Sequence, residues 1–115
     1  MFIIEFFQEN DGTCPAEEFL RSLDKKMKAK VEMIMQLLEQ YGNRVTEPYS
    51  KHLDDGIFEI RAAYSSNSVR ILYFFYYGKR IIMTNGFVKK TQETPPQEIE
   101  LAKKRRQRFL SRGGK

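Results

Sequence analysis

The chain begins with an apolar run, Phe2-Ile3-Ile4-Glu5-Phe6-Phe7, which reads as a strand. Asn10-Asp11-Gly12 is a turn signal. Pro15 suits the first turn of a helix, and Glu17 and Glu18 follow where the helix dipole favours acids. A short helix is therefore expected to about Leu23. The next stretch is the clearest periodic element. Met27, Val31, Ile34, Met35 and Leu38 recur at three- and four-residue spacing, an apolar stripe on one helix face. Lys26, Lys28, Lys30, Glu32, Gln36, Glu39 and Gln40 occupy the rest, and Gly42-Asn43 stops the helix. The stripe is read as core.

Residues 44–56 read as a loop, with Pro48 and the turn Asp54-Asp55-Gly56. The period then changes to two. Ile57 to Tyr64, Val69 to Tyr77 and Arg80 to Val88 read as three strands with short turns, an antiparallel meander. Residues 71–77 are apolar or aromatic on both faces, which marks a central strand. Thr94-Pro95-Pro96-Gln97 announces a last helix, with Thr94 as cap, Pro95 at the first helical position and Gln97 completing a capping box. Ile99, Ala102, Phe109 and Leu110 are expected to face the body and the basic residues to face out. Gly113-Gly114 ends the helix, and 111–115 are expected to form a flexible tail. The order of strand, two helices, three strands and helix predicts an α+β domain.

The 115 residues make one domain, 1–115. Charge is distributed unevenly. Residues 86–115 carry nine basic and three acidic side chains, a net of +6, whereas the first 85 carry eleven basic and twelve acidic. A basic quarter on a near-neutral body points to a polyanion, or to a solvated helix face. The single cysteine, Cys14, excludes an internal disulfide. Apolar runs fall far short of the roughly 20 residues that span a membrane. Glu5 interrupts the apolar N-terminus, which lacks a basic flank, so no signal peptide is expected. A cytoplasmic setting follows as the expectation.

The candidate chemistry is sparse. One His and one Cys make no metal cluster, and no phosphate-cradling glycine loop or nucleophile elbow is present. No metal and no cofactor is expected. What remains is a set of cations on strands. Alternation puts Glu59 and Arg61 on one strand face, Arg70 sits between Val69 and Ile71, and Lys89-Lys90 follows Gly86-Phe87-Val88. A meander can bring Arg61, Arg70 and the lysine pair onto one surface, where clustered cations repel unless an anion binds. Phosphate fits best. The structural alternatives are a same-strand ion pair for Glu59 and Arg61, worth about 0–1 kcal/mol, and edge-guarding charges at Arg70 and Lys79-Arg80.

The segment from Lys51 to Arg61, KHLDDGIFEIR, resembles a "K-x-L-x-D-G-[LI]-[YF]-E-[LI]-R" signature. Val69-Arg70-Ile71-Leu72-Tyr73 resembles the following "[YVF]-R-[IV]-x-Y" strand, and residues 86–95 resemble "G-F-x-K-K-T-x-x-T-P". Together these blocks resemble the HigB-like, phage-derived branch of the RelE/ParE toxin superfamily. The resemblance implies a RelE/ParE-like (microbial RNase-like) fold: an antiparallel sheet with two N-terminal helices and a C-terminal helix. It implies the toxin of a type II toxin–antitoxin system, a ribosome-dependent, metal-independent mRNA endonuclease that inhibits translation. Its implied partners are the ribosome, mRNA and a cognate helix-turn-helix antitoxin. Arg61, Arg70 and Lys90 fall where the family keeps its basic active-site side chains, with Lys89 adjacent; Lys51, His52 and Glu59 are looser nominations for the general base.

As an expectation, the RNA supplies its own 2′-hydroxyl nucleophile. Arg61 and Arg70 hold the scissile phosphate, and Lys89 or Lys90 transfers a proton. Glu59 acts as base or orients Arg61. Lys51 and His52 contact RNA, and Lys103, Lys104, Arg105, Arg106 and Arg108 on the last helix bind RNA backbone. The alternatives are a non-enzymatic, ParE-like inhibitor of DNA gyrase and a plain RNA- or protein-binding module.

Overall fold

A computed structural model describes residues 1–115. In chain order they form β1 (Ile3–Phe6), α1 (Pro15–Ser22), α2 (Lys25–Tyr41), a 3-10 turn (Gly42–Arg44), β2 (Ser50–Asp54), β3 (Ile57–Tyr64), β4 (Asn67–Tyr76), β5 (Arg80–Val88) and α3 (Pro96–Ser111). The sheet order is β1-β5-β4-β3-β2. Strands β3 to β5 pair antiparallel, as the meander predicts; β2 adds antiparallel to β3, and β1 lies parallel to β5. The sheet is thus mixed rather than wholly antiparallel. A parallel neighbour needs a long crossover, and here the two helices and the meander supply it.

Local chemistry explains the helices. Asp24 caps α2 by accepting the Met27 N–H at 2.9 Å. Gly42 closes it at φ 54°, and a Cβ there would come within 2.1 Å of the Phe2 ring. Both helices lie on one sheet face. Val31, Ile34 and Leu38 of α2 and Ala16 and Leu20 of α1 bury against Ile60, Ala62, Ile71, Tyr73, Ile81 and Met83. On the opposite face Ala102 and Phe109 of α3 pack on Phe7, Ile57, Leu72, Phe74 and Ile82. One helix covers only part of this second face, and alternation along β3 and β4 brings Glu59, Arg61 and Arg70 to the same side.

Three expectations change. First, the stretch expected as a loop contains β2. Its Ser50-Lys51-His52-Leu53-Asp54 lacks apolar alternation because it is an edge strand whose anchor is polar: buried Ser50 shares a 2.5 Å hydroxyl–hydroxyl bond with Tyr73. Second, Thr94 does not cap α3. The helix starts at Pro96, Pro95 stands at the cap position, and no side chain bonds the free N–H groups. Third, Leu110 points outward, 49% exposed. Beyond α3, Gly114 is buried against the Tyr76 ring, and its carbonyl accepts from the Arg80 guanidinium at 2.9 Å.

Candidate functional site

Arg61 of β3 and Arg70 of β4 are directly opposite one another in the antiparallel register. Like charges so placed destabilise a strand pair. Glu59, two residues from Arg61 on the same face, offsets them. Its Oε2 lies 3.5 Å from the Nε of each arginine. The other oxygen, Oε1, accepts the Thr94 hydroxyl at 2.5 Å. Glu59 and Arg70 are buried, with side chains 3% and 5% exposed, whereas Arg61 is 26% exposed and also lies 3.8 Å from Glu47. The arrangement therefore has a fixed floor and a reachable upper cation.

Arg70 is held by its own strand. One terminal nitrogen donates to Ser68 Oγ at 2.9 Å and to the Val69 carbonyl at 3.0 Å. Its buried Nε has no hydrogen-bond partner, a costly state that an incoming acceptor would relieve. Burial lowers the Arg70 pKa, Glu59 opposes that, and Arg61 adds to it. Two lysines flank the pair. Lys51 stands across from Glu59 on β2, and the Lys89 N–H bonds the Ser68 carbonyl at 2.8 Å just past the end of β5. Burial, then the charges of Arg70 and Arg61, push the Lys89 ammonium below its ordinary value, with Glu59 opposing.

The arginine pair, Glu59 and Lys51 border a cleft of about 210 Å³ whose lining also includes His52 and Thr94, while Lys89, half-buried, stands beside it rather than in its wall. Lys90 is exposed and does not line it. His52 sits on the rim, its ring edge-on to Phe58 at 4.9 Å. Its Nε2 accepts the Gly56 N–H at 3.1 Å, which engages the lone pair a general base would use. Tyr73, behind the cleft, is pushed up to about 12 by burial, far from proton transfer near neutrality. No three His, Cys, Asp or Glu side chains converge as a metal site requires.

The cations of α3 lie apart from the cleft, and all but Lys104 have acidic partners. Lys103 bonds Asp54 at 2.6 Å, and Arg106 bonds Asp55 at 2.8 Å, which ties the helix to the β2–β3 turn. Arg105 and Arg108 both meet Glu9, at 3.2 and 2.7 Å. Lys104 is exposed. Sequence reading missed Thr94 as a site residue, because a threonine before two prolines carries the signal of a helix cap. Gly86, at the head of the third sequence block, serves packing: a Cβ there would meet the Phe19 ring at 2.3 Å.

Compared with known proteins, residues 18–107 match the family described as "Phage derived protein Gp49-like (DUF891)". No curated protein matches the chain.

Proposed function

The chain belongs to the Gp49-like family of phage-derived proteins, which is associated with toxin–antitoxin systems, and on that footing we propose that it is the toxin of such a pair, acting as a ribosome-dependent mRNA endonuclease. The family implies an antitoxin partner; in this reading that partner is a helix-turn-helix protein, and the site of action is the translating ribosome. The observation that carries the proposal is the arginine pair, opposite in register and centred on one buried carboxylate.

In this mechanism the scissile phosphate enters the cleft and takes hydrogen bonds from Arg61 and from the unpartnered Arg70 Nε. The arginines stabilise the charge that builds on the phosphorane. Lys89 in its neutral form takes the proton from the 2′-hydroxyl, O2′ bonds to phosphorus, and the bond to the 5′-oxygen breaks. In-line displacement puts the attacking and leaving oxygens on opposite sides of phosphorus. Lys51 stands across the arginine pair from Lys89 and protonates the leaving 5′-oxygen. The products are a 2′,3′-cyclic phosphate and a 5′-hydroxyl. Glu59 is a positioning residue: its oxygens are engaged by Thr94 and by the two arginines, and it keeps those cations together while substrate is absent. With so few acid–base groups, much of the rate comes from the ribosome holding the mRNA in place. Exposed Lys104 and half-exposed Arg108 of α3 add backbone contacts to RNA.

The test is expression of the wild-type chain, Arg61→Ala and Arg70→Ala without antitoxin, with mRNA ends mapped in the cells. Cuts inside translated codons are expected for wild type and fall sharply in both variants. Arg61 is partly exposed, so its variant keeps the fold. Growth arrest with DNA damage and intact mRNA would instead favour the gyrase-inhibitor reading.

A further inference from the structure

A second groove lies beside the arginine cleft, where α2 ends and the chain approaches β2. Its volume is about 340 Å³, and its lining includes Leu37, Tyr41, Arg44, Glu47 and Tyr49. Tyr41 and Tyr49 are 47% and 40% exposed, a large aromatic surface to leave in water. The groove is continuous with the site. Thr46 and Glu47 line both the groove and a shallow channel beside it, and Lys51 and His52 line both that channel and the cleft. Where groove and cleft come nearest, Glu47 of the groove places its Oε2 3.8 Å from the Arg61 guanidinium of the cleft. The Tyr49 carbonyl accepts the Arg61 N–H at 2.9 Å, so the groove is built on the backbone that carries the site.

We propose that this groove receives an unpaired base of the RNA strand, adjacent to the linkage held by Arg61 and Arg70, and that Glu47 makes guanine the preferred base. The inference rests on the nuclease reading and deepens it. Aromatic side chains stack on any base, which accounts for Tyr41 and Tyr49. A carboxylate offers acceptors only. Guanine is the base whose pairing edge presents two neighbouring donors, N1–H and the N2 amine, and those match the two oxygens of Glu47. Arg44, whose guanidinium carbon lies 5.9 Å from the Tyr41 ring centroid, supplies a donor for guanine O6. Between base and cleaved linkage the strand passes Lys51 and His52. Arg61, 3.8 Å away, offsets the Glu47 charge, and Arg44 lines the same groove, so a polyanion is accepted. A protein segment would fill the tyrosine groove equally well, but it would gain nothing from continuity with the cationic cleft.

The test uses labelled hexanucleotides with 2′-fluoro sugars, which cannot be cut, one all-uridine and one with a single guanine. Binding to wild type, Glu47→Gln, Tyr49→Phe and Tyr49→Ala is read by fluorescence anisotropy. Wild type is expected to bind the guanine oligonucleotide about tenfold more tightly. Glu47→Gln should lose that preference, Tyr49→Ala should weaken both oligonucleotides about tenfold, and Tyr49→Phe should bind like wild type. Equal binding of the two oligonucleotides by wild type overturns the proposal. So do variants that leave RNA binding untouched while weakening capture of the antitoxin, which would assign the groove to a protein. The measurement needs no cleavage. A chain that shows the preference but cuts no mRNA sinks the nuclease reading alone, and one that cuts without preference sinks the groove alone.

Discussion

The Thr94 hydroxyl donates to Oε1 of Glu59 across 2.5 Å, joining the linker before α3 to the middle of β3. Glu59 in turn lies between the Nε groups of Arg61 and Arg70, so a neutral side chain far along the sequence fixes the carboxylate that the two cations share. Thr94→Val deprives a buried carboxylate of its donor at similar volume. Bonds to charged groups contribute about 1.5–3 kcal/mol. RNA cleavage is therefore expected to fall about tenfold or more, and Thr94→Ser, which keeps the hydroxyl, to restore most of it. Rates for both variants beside their melting temperatures check this; a Ser variant as slow as Val rules out the hydroxyl's role.

Lys89 is the group whose environment suits proton transfer. Burial, with Arg70 and Arg61 adding to it, lowers its pKa from the ordinary 10.5. If neutral Lys89 takes the 2′-hydroxyl proton, the cleavage rate rises with pH and levels off at that lowered value. Arg70→Ala removes a neighbouring charge and shifts the plateau upward in whatever activity remains. Lys89→Arg keeps the charge but holds its proton, and should lose the rise. Glu59→Gln should slow the reaction and move the plateau to lower pH, because the Glu59 charge opposes the lowering at Lys89, while the rise itself persists, since Gln can still accept from Thr94. A profile flattened by Glu59→Gln would make Glu59 the base.

Salt dependence separates the cations that meet RNA from those that hold the fold. For single strands each neutralised phosphate contributes a slope of about 0.7 in log affinity against log salt. Lys51→Ala, Lys89→Ala and Lys104→Ala should each reduce the slope by about that amount. Arg105→Ala and Arg106→Ala break pairs with Glu9 and Asp55 and should instead lower stability by about 1 kcal/mol. Binding titrations over a range of salt, with urea midpoints for the same variants, decide between the two.

Acid sensitivity should reside at the β1–β5 edge. Arg80 donates to both Glu5 oxygens at 2.5 and 2.7 Å, and this bonding holds the Glu5 carboxyl below its ordinary 4.5. A carboxyl with a lowered folded-state pKa adds stability above its unfolded value, and that stability is lost as pH falls through the folded value. Glu5 is a third exposed, so the contribution is at most about 1 kcal/mol. Glu5→Gln should be less stable than wild type at neutral pH and indistinguishable in strong acid, as read from urea midpoints at both.

Much of this architecture is written in local pattern. The period of α2, the three meander strands and the turns between them follow from apolar spacing and turn residues. That pattern also carries the central pair: alternation and short turns suffice to bring Arg61 and Arg70 onto one face, because register in a tight meander leaves little freedom. The resemblance of the three sequence blocks pointed to a toxin–antitoxin family, and residues 18–107 bear that out at the level of the Gp49-like family.

What the chain alone left open is decided by partners distant in sequence. β2 has no periodic signal, since an edge strand shaped by Tyr73 behind Ser50 needs no apolar alternation of its own. Thr94 reads as a helix cap until the fold supplies Glu59, a stronger acceptor because it is charged and buried. The basic run of α3 reads as one open polyanion surface until Asp54, Asp55 and Glu9 fold against it. Short-range order follows from propensity and periodicity, which neighbours along the chain determine. The destination of a hydroxyl or a charge depends on which opposite group tertiary packing carries within reach, and only the folded sheet with its helices specifies that.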